Sequence, residues 1–92
     1  MDVSIRNAED RSRYELMADG EVIGVADYRV KGDVVVMPHT EIAPHLRGQG
    51  YGAQLVQGAL DDLRARGKRV VPVCWYVREF LDTNEGYADL VA

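Results

Sequence analysis

The chain has 92 residues, 47% of them hydrophobic and 28% charged, a composition that predicts one small globular domain over residues 1–92. Its formal net charge of −4 argues against a nucleic-acid-binding protein, because such proteins usually carry a basic surface. No apolar run approaches the roughly 20 residues that cross a bilayer, so we expect no membrane partner.

The cysteine content and the N-terminus indicate the cellular compartment. Cys74 is the only cysteine and therefore cannot form an internal disulfide. The segment from Met1 to Arg6 lacks the basic and apolar regions of a secretory signal. A free thiol is typical of a reducing compartment, so these features together predict a cytoplasmic protein.

The first half of the chain predicts an antiparallel β-meander. Apolar segments alternate with turn signals, and the residues expected in strands are 14–18, 22–30 and 34–42. Asp19-Gly20 is a strong hairpin signal, and Lys31-Gly32-Asp33 marks the second turn. Before the meander, Val3 and Ile5 indicate at most the beginning of a short strand.

Pro38 lies inside the third expected strand. Proline has no backbone N–H and cannot donate to a strand ladder. We therefore expect an edge position or a β-bulge near residue 38.

The second half predicts a crossover back to the sheet. A helix is expected over residues 50–66, with its apolar face formed by Leu55, Val56, Ala59, Leu60 and Leu63. Gly67 is placed to end this helix, and Gly58 inside it indicates a close-packing point. A strand at 70–74 should then lie parallel to the strand at 34–42 through a right-handed connection.

Two weaker signals follow that strand. Residues 76–83 predict a short helix, and Tyr87 to Val91 a last turn or tail that docks on the core. The expected fold class is therefore α+β: an antiparallel β-meander extended by a βαβ crossover, with one long helix after a glycine-rich loop and a short C-terminal helix.

The loop Arg47-Gly48-Gln49-Gly50-Tyr51-Gly52 predicts an anion site, because it joins a strand to a helix N-terminus. A P-loop is excluded, since its lysine and hydroxyl residue are absent. A dinucleotide fingerprint fits poorly, because the third glycine comes one residue too early and no acidic residue ends the next strand. The remaining interpretation is a pyrophosphate held by backbone amides, with an arginine at the loop entrance.

In this last form the loop fits the Arg/Gln-x-x-Gly-x-Gly/Ala signature, and the chain resembles the small single-domain subgroup of the GCN5-related N-acetyltransferase (GNAT) superfamily. His39 to Ile42, Cys74 and Tyr87 to Leu90 extend the resemblance over nearly the whole chain. The resemblance implies a minimal GNAT-like fold, acetyl-CoA as co-substrate, an amine acceptor and no metal. The usual Asn…Tyr…Gly-Phe pattern after the last core strand is missing, so the acceptor half of the site is reduced.

The resemblance also implies how acetyl-CoA is held. Backbone N–H groups of residues 48–53 would bind the pyrophosphate, while the pantetheine arm would lie between the strands at 34–42 and 70–74. A main-chain N–H near Glu41 or Ile42 would serve as the oxyanion donor. Trp75, Tyr76 and Phe80 are expected to pack or to line the CoA arm. The predicted cofactor-binding residues are Ile42, Arg47, Gly48, Gln49, Gly50, Tyr51, Gly52, Ala53, Tyr76 and Phe80.

Three residues are candidates for catalysis. His39 is the candidate general base, because its ordinary pKa lies nearest neutrality; the alternative is an ordinary strand histidine. Glu41 shares its strand parity and would orient the imidazole, act as the base or remain solvated. Cys74 would be an acetylated nucleophile, a group near the CoA sulfur or a small buried hydrophobe. Direct transfer and a ping-pong route through Cys74 both stay open, with direct transfer favoured as the superfamily's habit.

The predicted function is an acetyl-CoA-dependent N-acetyltransferase acting on a small-molecule or protein amine. The alternative is a non-catalytic acyl-CoA-binding or sensor domain. An unpaired edge of the meander makes a weak dimer as plausible as a monomer.

Overall fold

The computed structural model describes residues 2–92 and contains a five-stranded sheet with the strand order β1-β2-β3-β4-β5. The strands are β1 (Val3–Ala8), β2 (Arg13–Ala18), β3 (Glu21–Lys31), β4 (Val34–Ile42) and β5 (Arg69–Pro72). The first four form an antiparallel meander, and β5 lies parallel to β4. The helices are α1 (Tyr51–Ala65) and α2 (Trp75–Thr83). The predicted α+β class, with a meander extended by a βαβ crossover, is confirmed.

The N-terminal segment is a full edge strand rather than the beginning of one. β1 pairs with β2 from Val3 to Ala8. Its pattern is weak because, of its six residues, only Ala8 is fully buried. A β-bulge at Ile23 explains the uneven alternation in β3, since the register moves from Leu16 opposite Gly24 to Met17 opposite Val22. The bulge lets both Ile23 and Gly24 lie in the interior.

A second bulge lies in β4 at the position predicted from Pro38. Asp27 of β3 pairs with His39 and Arg29 pairs with Val36, so two residues of β4, Met37 and Pro38, stand opposite Tyr28. β5 follows β4 only as far as the pair Met37–Pro72.

Beyond this pair the two strands separate. The last contact of the parallel ladder is the N–H of Cys74, which donates to the carbonyl of Met37 at 2.9 Å. The strand predicted at 70–74 therefore ends two residues early, because the Val73 N–H donates to the Val71 carbonyl at 3.1 Å instead of to β4. From Pro38 to Ile42, one edge of β4 is not paired with β5.

Both helices contribute to one core. α1 buries the predicted apolar face against the sheet, and α2 buries Val77, Phe80 and Leu81 in the same cluster. A Cβ added at Gly58 would overlap the Ile5 side chain, so Gly58 is a close-packing point between α1 and β1. No helix within residues 2–92 is long and apolar enough to span a membrane.

The C-terminal segment docks along the outer edge of β5. A 3₁₀ helix, Glu85–Leu90, buries Leu90, and Val91 then forms an isolated bridge with Val70. Ala92 N–H donates to the Val70 carbonyl at 2.9 Å, and the Arg69 guanidinium donates to the Val91 carbonyl at 2.7 Å. The tail thus covers part of an edge that would otherwise be open.

On the outer face of the sheet, the Glu15 carboxylate is covered by three arginines. Arg6 and Arg11 come from the β1 region, and Arg13 Nε donates to Glu15 Oε2 at 2.8 Å. The hydrogen bonds from Arg6 and Arg13 hold the pKa of the Glu15 carboxyl below its usual range, although burial opposes them. The cluster ties β1 to β2, because its members come from both strands.

Replacing Glu15 with Gln should destabilise the fold by about 1 kcal/mol, a modest value because the arginines are partly exposed. Because folding lowers this pKa, the stabilisation is present above the ordinary value of 4.5 and is lost as the pH falls below it. Urea unfolding of the wild type and of Glu15→Gln should therefore differ at pH 7, and the difference should be smaller at pH 3. A gap of equal size at both pH values would contradict this account, and Glu21→Gln, which neutralises an exposed carboxylate, is the control.

Candidate active site

The glycine-rich loop forms the N-terminal approach to α1. A short 3₁₀ turn, Pro44–Leu46, leads into Gly48 and Gly50, whose φ angles are +80° and +84°. These left-handed conformations favour glycine and turn the chain sharply into the helix. The hydrogen bonding of α1 starts where Gln54 N–H donates to the Gly50 carbonyl at 3.3 Å. The preceding N–H groups are therefore not used by the helix, and its positive dipole end lies in the loop.

A cavity of about 480 Å³ lies between this loop, the start of α2 and the end of β4. Its lining residues are His39, Thr40, Glu41, Ile42, Leu46, Arg47, Gly48, Gly50, Tyr51, Gly52, Trp75 and Tyr76. The structure thus brings together most of the residues predicted for the site. Gln49, Ala53, Cys74 and Phe80 do not line this cavity.

The backbone of Ile42 faces the cavity side of β4. Ala43 N–H donates to the Ile23 carbonyl of β3 at 2.8 Å. Successive residues of a strand direct their backbone groups to opposite edges. The backbone groups of Ile42 therefore point away from β3, to the edge of β4 along which β5 has already ended. The Ile42 carbonyl accepts a hydrogen bond from Arg47 Nε at 3.0 Å. Arg47 is thereby anchored between the end of β4 and the loop. Its two terminal nitrogens, Nη1 and Nη2, do not take part in this hydrogen bond.

The side chains of His39 and Glu41 leave β4 on the outer face of the sheet, the face away from the helices. They pair with Asp27 and Val25, whereas Thr40 between them pairs with the fully buried Ala26 on the helix side. His39 Nε2 lies 3.8 Å from Glu41 Oε1, and both side chains are more than half exposed. This distance exceeds that of a hydrogen bond, so the two side chains are neighbours without being bonded to each other. Both residues still line the cavity, since β4 is unpaired along this edge.

Cys74 lies beside the cavity rather than in its wall. The thiol is buried in the core and donates to Thr40 Oγ1, with the sulfur 3.7 Å from that oxygen. Cys74 is also the residue that precedes α2. Because Thr40 faces the helices, Cys74 contacts the side of β4 opposite to His39. The two candidate residues therefore approach the site from different faces of the sheet.

Tyr76 separates the cavity from a second space between α1 and α2. This neighbouring space measures about 320 Å³, and Ala53, Tyr76 and Phe80 contribute to its walls. A Cβ added at Gly52 would lie 2.5 Å from Tyr76 Oη and 2.8 Å from Cζ. Because Gly52 has no side chain, the Tyr76 ring has space to lie across the first turn of α1.

Sequence reasoning missed Thr40 and Leu46. Thr40 lies between two predicted site residues, but the sheet face of each depends on the bulge at Pro38. Leu46 is the apolar residue of an otherwise polar loop and packs against the core as well as lining the cavity. Within residues 2–92, no group of three or more His, Cys, Asp or Glu side chains is arranged to hold a metal ion.

The family model described as GCN5-related N-acetyl-transferase matches residues 13–90, which is most of the chain. The chain belongs to the GCN5-related N-acetyltransferase family. This membership supports acetyl transfer as the general chemistry of the GNAT site just described. No curated protein matches the chain.

Solved structures confirm the GNAT fold. A GCN5-like candidate N-acetyltransferase from Staphylococcus aureus superposes with a TM-score of 0.72 at 20% identity, covering 97% of this chain and 87% of that one. The ribosomal-protein-S18-alanine N-acetyltransferase from Escherichia coli gives 0.59 at 24% identity, over 63% of this chain. The matched region spans only 38% of the E. coli enzyme. N-acetylglutamate synthase from Neisseria gonorrhoeae gives 0.57 at 22% identity, over 67% of this chain and 16% of that one.

Placing a methyl group at Gly52 tests the contact with Tyr76. Gly52→Ala should destabilise the protein by about 1–3 kcal/mol, because the ring must move to avoid the new Cβ. In a Tyr76→Ala background the same change should instead be neutral or stabilising by up to about 1 kcal/mol, since alanine is the better helix former. Thermal unfolding of the four proteins measures this reversal. An equal effect of Gly52→Ala in both backgrounds would show that the ring is not held there.

Proposed function

We propose that the protein is an acetyl-CoA-dependent N-acetyltransferase that transfers the acetyl group to a small-molecule or protein amine. The observation that carries the proposal is the shared cavity: the glycine loop and helix N-terminus form one wall, and the unpaired edge of β4 forms the other. Two solved relatives of this fold support it. The gonococcal synthase was solved with coenzyme A, and AAC(6′)-Iy was solved with a CoA-based bisubstrate analogue.

The loop and α1 supply the donor site. Backbone N–H groups of residues 48–53 bind the pyrophosphate, because the helix does not use them and its dipole favours an anion. Arg47 adds a positive charge, held in place by its bond to the Ile42 carbonyl. The pantetheine arm then runs along the free edge of β4, where a main-chain strand partner is missing. The Ile42 N–H faces this edge and is the oxyanion donor for the thioester carbonyl.

His39 and Glu41 supply the proton transfer. The amine acceptor is protonated in solution, and His39 takes one proton so that the neutral nitrogen attacks the carbonyl carbon. The C–N bond forms, the C–S bond breaks, and the attacking nitrogen loses its second proton while the CoA thiolate gains one, so that the products are the amide and the free thiol. Glu41, whose Oε1 lies 3.8 Å from His39 Nε2, is the neighbouring carboxylate in the same wall. Tyr76, whose hydroxyl lies over the first turn of α1, is the candidate proton donor to the thiolate.

Direct transfer is favoured over the ping-pong route. The Cys74 thiol is buried, and its sulfur lies against Thr40 instead of in the cavity wall. Acetylation of Cys74 would require this contact to open. His39, in contrast, is more than half exposed and lies in the cavity wall, where an acceptor arrives.

Replacing either of two glycines outside the sheet with alanine separates an effect on acetyl-CoA binding from an effect on stability. Gly50 and Gly67 both have positive φ, and neither has an atom near an added Cβ. Gly50→Ala and Gly67→Ala should each cost about 1–2 kcal/mol of stability, because alanine is strained in this conformation. Only Gly50→Ala should weaken acetyl-CoA binding, measured by isothermal titration calorimetry. Equal affinities in both variants would place the pyrophosphate elsewhere.

Acetyl transfer is tested by incubating the protein with acetyl-CoA and a panel of primary amines. Released CoA thiol and the mass of the acetylated amine are the readouts. His39→Ala should slow turnover by about 10²–10⁴-fold, the range for loss of a general base. Cys74→Ala should retain activity, and intact-mass spectrometry should find no acetyl adduct on the wild type.

Three results would change this account. Unchanged turnover in His39→Ala would remove His39 from the mechanism. An acetyl adduct on Cys74, with an inactive Cys74→Ala variant, would establish the ping-pong route. Tight acetyl-CoA binding without any acetylated amine would favour the alternative, a non-catalytic acyl-CoA-binding domain.

A further inference from the structure

Trp75 is the most exposed large apolar side chain among residues 2–92, with 68% of its surface accessible. Tryptophan is usually well buried, so this exposure is unusual in a small globular protein. The residue begins α2 and lines the cavity that contains His39 and Glu41. The indole can therefore contact a ligand that enters the cavity from solvent.

The indole is oriented by its neighbour. Its ring centroid lies 5.5 Å from that of Tyr76, with the planes at 66°, an edge-on contact. Tyr76 in turn lies in the room left by Gly52. Beside this contact the indole keeps most of its surface accessible, and Val73, which is 52% exposed, comes shortly before it in the chain.

The β4 wall of the cavity carries a carboxylate that can attract a cationic group, whereas Arg47 and the positive end of α1 belong to the loop wall. Glu41 is 58% exposed and lines the same cavity as Trp75. The guanidinium in the lining, Arg47, is directed to the Ile42 carbonyl by its Nε. An indole face and a carboxylate both attract ammonium groups, and the net charge of −4 adds an attractive field.

The attacking nitrogen cannot be the cation that the indole and the carboxylate bind, because it must be neutral when it attacks. A group that binds the indole face and the carboxylate as a cation is therefore a second charge on the acceptor. Resting on the function proposed above, we propose that the acceptor is a free aliphatic diamine or polyamine. In this proposal Trp75 is a specificity-determining residue that binds the ammonium group that does not react.

The exposed apolar surface also favours a small acceptor. It consists of Trp75, which lines the cavity, and Val73, two residues before it in the chain, and this small area matches a short methylene chain. A stable protein–protein interface needs roughly 800 Å² from each partner. A docked protein substrate would therefore be expected to have a larger apolar footprint than these two side chains provide.

A matched pair of amines tests the proposal: 1,5-diaminopentane and 1-aminopentane, which differ by one ammonium group. After correction for its two reactive ends, the diamine should have a kcat/KM about tenfold higher, the combined effect of an exposed cation–π contact and an ion pair. Trp75→Leu should reduce this preference by about two- to fivefold through the KM for the diamine. Trp75→Phe should keep part of the preference, and Val30→Ala, an exposed apolar residue that does not line this cavity, all of it.

Binding is measured independently of turnover through the fluorescence of Trp75, the only tryptophan in the chain. With CoA present, 1,5-diaminopentane should change the emission at concentrations where 1-aminopentane does not. If no amine is acetylated, the proposed function fails, and this titration alone decides whether the cation site exists.

Three outcomes would overturn the proposal. The first is equal kcat/KM for the two amines, or equal fluorescence titrations where there is no turnover. The second is a better kcat/KM for a lysine-containing peptide than for the diamine. The third is a change of oligomeric state in Trp75→Leu with an unchanged amine preference, which would make Trp75 an interface residue.

Discussion

The separation of β4 and β5 is the constraint on which the rest of the structure depends. Two prolines mark the point of separation: Pro38 follows Met37 in the β4 bulge, and Pro72 ends β5 opposite Met37. At Val73 the chain turns out of the ladder, because the Val73 N–H donates to the Val71 carbonyl at 3.1 Å, and the last bond to β4 comes from Cys74. The free edge of β4 and the entry into α2 both follow from this one local feature.

The functional elements converge on the opening that the two strands leave. The chain leaves β4 through the glycine loop, which directs the N-terminus of α1 at this opening, while β5 leads into α2 with Trp75 and Tyr76 at its start. Anion-binding backbone groups, a free strand edge and exposed polar side chains thus meet without any long insertion. This economy explains how the proposed donor site fits within a chain of 92 residues.

The sequence predicted the features that depend on local chemistry. The meander, the long helix, the bulge at Pro38 and the close packing at Gly58 all follow from spacing or from one residue's conformational limits. Features that depend on register were not predictable. A bulge changes the parity of every later residue, so the pattern shows that His39 and Glu41 share a face but not which face. The arginine cluster around Glu15 likewise exists only once β1 and β2 are in register.

The most direct test of the account is a crystal structure of the protein with acetyl-CoA. We expect pyrophosphate oxygens at about 2.7–3.2 Å from backbone nitrogens of residues 48–53, and the thioester carbonyl at a similar distance from the Ile42 nitrogen. The acetyl group should then face the side of β4 that carries His39. A pyrophosphate bound away from the glycine loop, or a pantetheine arm that does not follow the free edge of β4, would contradict the account.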